Sequence, residues 1–169
     1  MIVMPSRALL ELLRGKGAHA DPFACVEDIS AELASRHVAG FPHSIAQLLF
    51  HMNYWMDYDL RRARGLKPPY PEHNAESFPE VAQVSEEEWK ASVQRFFALL
   101  SNAATLADSD PNELERHVDA THPSHQQRAD TVEALLGQLM AHNSYHAGQI
   151  AMLRRTLGAW PPRGGGDTW

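Results

Sequence analysis

Three segments of this chain begin with a residue pair that reads as a helix start. Ser44 and Gln47, Ser85 and Glu88, and Asp130 and Glu133 each stand three apart at the head of a run whose apolar residues recur every three or four positions. At such a pair the first side chain accepts from the backbone N–H three residues on, and the second reaches back to the N–H of the first, so two otherwise unpaired donors are satisfied. The run from Ser44 carries Leu48, Leu49, Met52 and Trp55, and it stops at Gly65 ahead of Pro68-Pro69. The run from Ser85 carries Trp89, Val93, Phe96, Phe97 and Leu100 to about Asp108, and the run from Asp130 carries Leu135, Leu136, Leu139, Ile150, Leu153 and Leu157. An earlier stretch over 5–14 holds Leu9, Leu10, Leu12 and Leu13 and closes at Gly15 and Gly17. The spacing therefore predicts four long helices, over 5–14, 44–64, 85–108 and 130–157, with short helical pieces around 22–37. Each has one apolar stripe to bury, which makes the fold class all-α, a four-helix bundle.

The connections are long. Residues 65–84 are rich in proline and 109–129 are polar, and loops of that length are uncommon unless they pack over something or carry function. Helices one and two are joined by a similarly long stretch, so extended crossovers are open to the bundle as well as simple up-down turns. A chain of 169 residues with 44 % hydrophobic content is long enough for one domain over residues 1–169. The formal charge of -6 gives no electrostatic reason to approach nucleic acid. Arg61-Arg62-Ala63-Arg64 and Arg154-Arg155 fall at helix ends, where cations complement the dipole. A lone cysteine, Cys25, suits a reducing compartment, and neither a signal-peptide layout nor an apolar run near the ~20 residues of a membrane span is present, so the expected setting is cytoplasmic. The tail Pro161 to Trp169 reads as flexible by composition, although a terminal tryptophan favours docking.

The chemistry is carried by histidines. His142 and His146 stand four apart on the last helix and therefore share a face, flanked by the apolar positions of the stripe. His51 lies in the second helix at a position facing the bundle interior. Three neutral imidazoles would hold one divalent metal and leave coordination positions open for water or substrate. Against this stands the plainer alternative that a chain with ten histidines displays them to solvent or packs them in the core. Asn143 follows His142 where a zinc protease would carry glutamate, which argues against a helix-borne general base. Gln149 follows the pair on the same face, and Tyr54 and Tyr58 follow His51 on roughly one face, so these three are candidates to support the site. Asp57 turns away from His51, about 600° on at ~100° per residue, and Asp59 comes nearer as a weak extra candidate. His122 and His125 have pair spacing inside a proline-containing polar loop, which reads as solvated; His43 precedes a helix start, where it supports the junction or lines a pocket mouth.

The segment Pro42-His43-Ser44-Ile45 through Leu49, His51 and Trp55, then His142-Asn143-Ser144-Tyr145-His146-Ala147-Gly148-Gln149-Ile150 and Leu153-Arg154-Arg155, resembles the DinB/YfiT-like superfamily. The likeness covers most of the chain. It implies a four-helix bundle, usually a homodimer, that binds a divalent metal through His51, His142 and His146; nickel, zinc, manganese and iron all accept imidazole. The superfamily name refers to damage-inducible genes, which suggests a stress-response setting and not DNA binding. Characterised members include metal-dependent thiol transferases and isomerases that use low-molecular-weight thiols. The resemblance thus implies a thiol transferase acting on a small electrophile, with a non-catalytic metal or ligand-binding bundle and a metal-dependent hydrolase as the alternatives.

Overall fold

The computed structural model describes residues 6–79, 83–122 and 130–164, and within them it is helical. The order is α1 (Ser6–Leu13), α2 (Ala31–Ser35), α3 (Ile45–Ala63), a 3-10 turn (Asn74–Ser77), α4 (Glu86–Ala107), α5 (Pro111–Leu114) and α6 (Val132–Thr156). α3 packs on α4 and α6, and α1 packs on the same two helices, which closes the four-helix arrangement. Its core is made by the predicted stripes: Leu9 and Leu13 of α1, Ile45, Leu49, Met52 and Met56 of α3, Phe96, Leu100 and Ala103 of α4, and Leu135, Leu136, Ile150 and Leu153 of α6, all 4 % exposed or less. No helix among the described residues is long and apolar enough to cross a membrane.

Two of the three helix starts have the reciprocal bonds that their spacing predicts. Ser44 Oγ accepts from Gln47 N at 3.3 Å while Ser44 N donates to Gln47 Oε1 at 2.9 Å, and Ser85 and Glu88 repeat the arrangement at 3.2 and 2.8 Å. The third start is corrected by one residue. Thr131, not Asp130, caps α6, with Thr131 Oγ1 accepting from Ala134 N at 3.2 Å. The reason lies outside the local sequence: Val118 N donates to Asp130 O and Val132 N to Arg116 O, a short antiparallel bridge that holds the chain extended through Thr131.

Gly65 ends α3 with φ +78, a conformation that a side chain would resist, and the chain then doubles back along the helix it has left. The proline-rich loop thus carries Tyr70, Asn74, Ser77 and Phe78 to the middle of α3, close to His51. The arginines at the helix ends are partly absorbed into the core. Arg62 is 2 % exposed and lies 3.4 Å from Asp59, and Arg154 is 1 % exposed beside Asp28. Pro162 is buried and Arg163 N donates to Asp28 Oδ2 at 2.6 Å, so the tail up to Gly164 is anchored; Trp169 lies outside the described residues.

Candidate metal centre

α3 brings His51 inward at the level where α6 presents His142 and His146. His51 Nε2 and His142 Nε2 are 3.1 Å apart, and His146 Nε2 and His142 Nε2 are also 3.1 Å apart. The outer nitrogens decide what these inner ones carry. Ser77 Oγ donates its proton to Asn74 O at 2.6 Å and so accepts from His51 Nδ1 at 2.8 Å; Gln149 Oε1, an acceptor only, takes the proton of His146 Nδ1 at 2.7 Å. The tautomers assigned in this way leave lone pairs on both Nε2 atoms, each aimed at the third ring.

A single proton on His142 Nε2 would serve two facing lone pairs poorly, whereas one cation can accept all three. The spacing fits: with bonds of about 2.0–2.1 Å, nitrogens at right angles around a metal lie about 2.9 Å apart and tetrahedral ones about 3.4 Å apart. The charge state fits as well. Burial, and then the neighbouring histidines, push His51 down to about 3; burial and then His146 take His142 to about 4; burial lowers His146, partly offset by its bond to Gln149. All three rings are therefore neutral near pH 7, the form in which imidazole ligates.

Their ligand atoms form a group within 4.8 Å that could hold a metal ion, and no fourth protein ligand belongs to it among the described residues. The group opens on a cavity of about 330 Å³ lined by His51, His142, Trp55, Asp59, Tyr70, Asn74, Phe78 and Gln138.

The family model for the DinB family matches residues 6–164. The chain belongs to the DinB family. No curated protein and no solved structure gives a match. Within this DinB chain, His51, His142, His146 and Gln149 come together, while Tyr54 and Tyr58 do not join them. Tyr54 lines a separate cavity with Phe50 and Asn53, and the Tyr58 hydroxyl is 2.6 Å from Thr121 Oγ1. Asp59 faces the metal-side cavity but is paired with Arg62 and lies outside the ligand group. Asp57 points away, 3.6 Å from Arg95, and Asn143 is buried with its Nδ2 on Met56 Sδ at 3.3 Å. His43 stacks on Phe78 with ring centres 3.9 Å apart, and Phe78 stacks on His51 at the same distance. His122 is exposed, yet its ring stacks on Tyr70 at 4.3 Å; His125 lies outside the described residues. Burial raises the Cys25 thiol to about 12 against the opposing charge of Arg154, so it stays protonated and unreactive.

Sequence reasoning missed Ser77, Phe78, Tyr70, Asn74 and Gln138. Gln138 had a readable signal, standing four residues before His142 as His146 stands four after it. The loop residues had only the length and proline content of their segment.

Proposed function

We propose that this DinB-family chain is a divalent-metal-dependent enzyme that transfers a low-molecular-weight thiol to a small electrophile. The observation that carries this reading is the open three-histidine group: three neutral imidazoles whose Nε2 atoms converge beside a cavity, with no fourth described side chain closing the coordination sphere. A sealed structural site would need that fourth ligand, so the cavity favours catalysis over a purely architectural metal.

His51, His142 and His146 would hold the metal, and Ser77 and Gln149 keep their rings in the ligating tautomer. The bound metal supplies Lewis acidity that keeps a thiol in its nucleophilic thiolate form near neutral pH. Trp55, Tyr70 and Phe78 reduce water access on the cavity side. A protein nucleophile is not needed, in keeping with the buried, protonated Cys25.

The test is optical. Protein loaded with cobalt(II), a probe for the native ion, is titrated with cysteine and N-acetylcysteine; a saturable thiolate-to-metal charge-transfer band is the expected result. Retained cobalt with no band for either thiol would sink the transfer reading and leave a metal-binding bundle or a hydrolase.

The homodimer belongs to the same proposal. On the outer face of α6, Ala141, Tyr145, Gly148 and Met152 form one row, and Tyr145 and Met152 are 65 % and 55 % exposed. A surface helix ordinarily keeps that face polar. On a calibrated sizing column the wild type is expected to elute at twice the chain mass, and Tyr145→Asp to shift it toward one; elution of the wild type as a monomer across micromolar concentrations would refute the dimer.

A further inference from the structure

The cavity beside the three histidines has aromatic walls and an amide rim. Trp55 and Tyr70 have ring centres 5.6 Å apart at 53°, and Phe78 is stacked face to face on both His43 and His51. Trp55 is itself braced edge-on by Tyr54 and Tyr58, at 5.3 and 5.4 Å. Each ring thus has an aromatic neighbour of its own, Tyr70 through the exposed His122 stacked on it at 4.3 Å. At the rim stand the side chains of Asn74 and Gln138, and neither amide has a hydrogen-bond partner among the described residues.

Among the described lining residues the carboxylate is that of Asp59, which is 7 % exposed and faces the guanidinium of Arg62, itself 2 % exposed, at 3.4 Å. Its charge is matched inside the protein, so the cavity is not built as a cage for a cation, which would combine aromatic faces with an unmatched negative group. Aromatic walls favour a partner with its own π-system, because ring quadrupoles reward offset and edge-to-face contact beyond the area buried. Free amides reward carbonyl or N–H groups in the ligand.

We infer that the cavity takes a planar, conjugated or aromatic molecule, uncharged over the part enclosed, with Trp55 and Tyr70 against its ring system and Gln138 and Asn74 hydrogen-bonded to a carbonyl-type substituent. This names the class of the electrophile and so rests on the proposed metal-dependent transfer for the use made of the ligand, but not for its binding.

Binding is measured calorimetrically on the full chain, both metal-free and metal-loaded, with 2-naphthamide, its fully saturated decahydro counterpart and tetramethylammonium as probes. The aromatic amide is expected to bind at least tenfold more tightly than the saturated one, about 1.4 kcal/mol. Trp55→Leu is expected to erase that preference, and the rim variant Gln138→Leu to weaken both amides without changing metal uptake. Equal affinity for the two amides, no binding of either at millimolar concentration, or tighter binding of tetramethylammonium would overturn the inference. Discrimination by a protein that takes up no metal supports the aromatic cavity while sinking the proposed function; metal uptake without discrimination does the reverse.

Discussion

His142→Ala is expected to remove most of the bound metal, with an affinity loss well beyond the roughly 10–100-fold that follows loss of a group supporting a ligand. His142 is the middle ring of the three: its Nε2 is 3.1 Å from both other Nε2 atoms, so without it the remaining pair loses the donor that links them. The supporting variants set a scale beneath it. Ser77→Ala removes the acceptor of His51 Nδ1–H, and Gln149→Leu removes that of His146, which frees each ring to turn or to change tautomer; each is expected to cost about 10–100-fold. His122→Ala, whose ring lies on Tyr70 and outside the ligand group, should retain wild-type metal. Elemental analysis after dialysis against a graded chelator measures the series. Equal retention in His142→Ala and His122→Ala would refute the ligand assignment.

Arg154→Met should cost about 3–5 kcal/mol of folding stability, the range for removing one partner of a buried charge pair. The guanidinium holds three segments together: Nε donates to Ala159 O at 2.9 Å and Nη1 to Cys25 O at 2.8 Å and Ala24 O at 3.3 Å, while Nη2 lies 2.8 Å from Asp28 Oδ1. Asp28 Oδ1 accepts no well-aligned hydrogen bond, so this last contact is one of charge more than of direction. Methionine fills much of the volume but leaves Asp28 uncompensated and the three carbonyls without their donor. For a chain of this length the loss corresponds to a melting temperature lower by on the order of 10 °C. Denaturant unfolding measures it directly, and a change below about 1 kcal/mol would show that water replaces the guanidinium without penalty.

Both predictions concern residues visible in the sequence to different degrees. His142 and His146 were legible as a pair because helical geometry converts a spacing of four into a shared face, and His51 because it falls on the apolar stripe of α3. Gln149 was legible by the same geometry. Arg154 was not: as part of Arg154-Arg155 it reads as a cation at a helix end, and only the packing of the 24–28 segment against α6 puts Asp28 and two carbonyls around it. Tyr54 and Tyr58 are the converse case, standing behind Trp55 and not beside the histidines. At ~100° per residue Tyr54 stands about 60° round α3 from His51 and lines another cavity, while Tyr58 stays near the His51 direction but about two turns along the axis, where its hydroxyl meets Thr121.

Caps and apolar periodicity act within a few residues and need no distant partner, so the four helices, their buried stripes and the inward facing of His51, His142 and His146 were legible from local pattern. The α6 start at Thr131, set by backbone bonds from residues 116–118, and the surroundings of the site follow from long-range packing. The tautomer of His51 depends on Ser77, 26 residues away, and the cavity walls on Tyr70 and Phe78, brought back over α3 by a loop with no periodicity to read. Contacts of that kind are fixed by where the chain folds back, and local pattern carries no record of them.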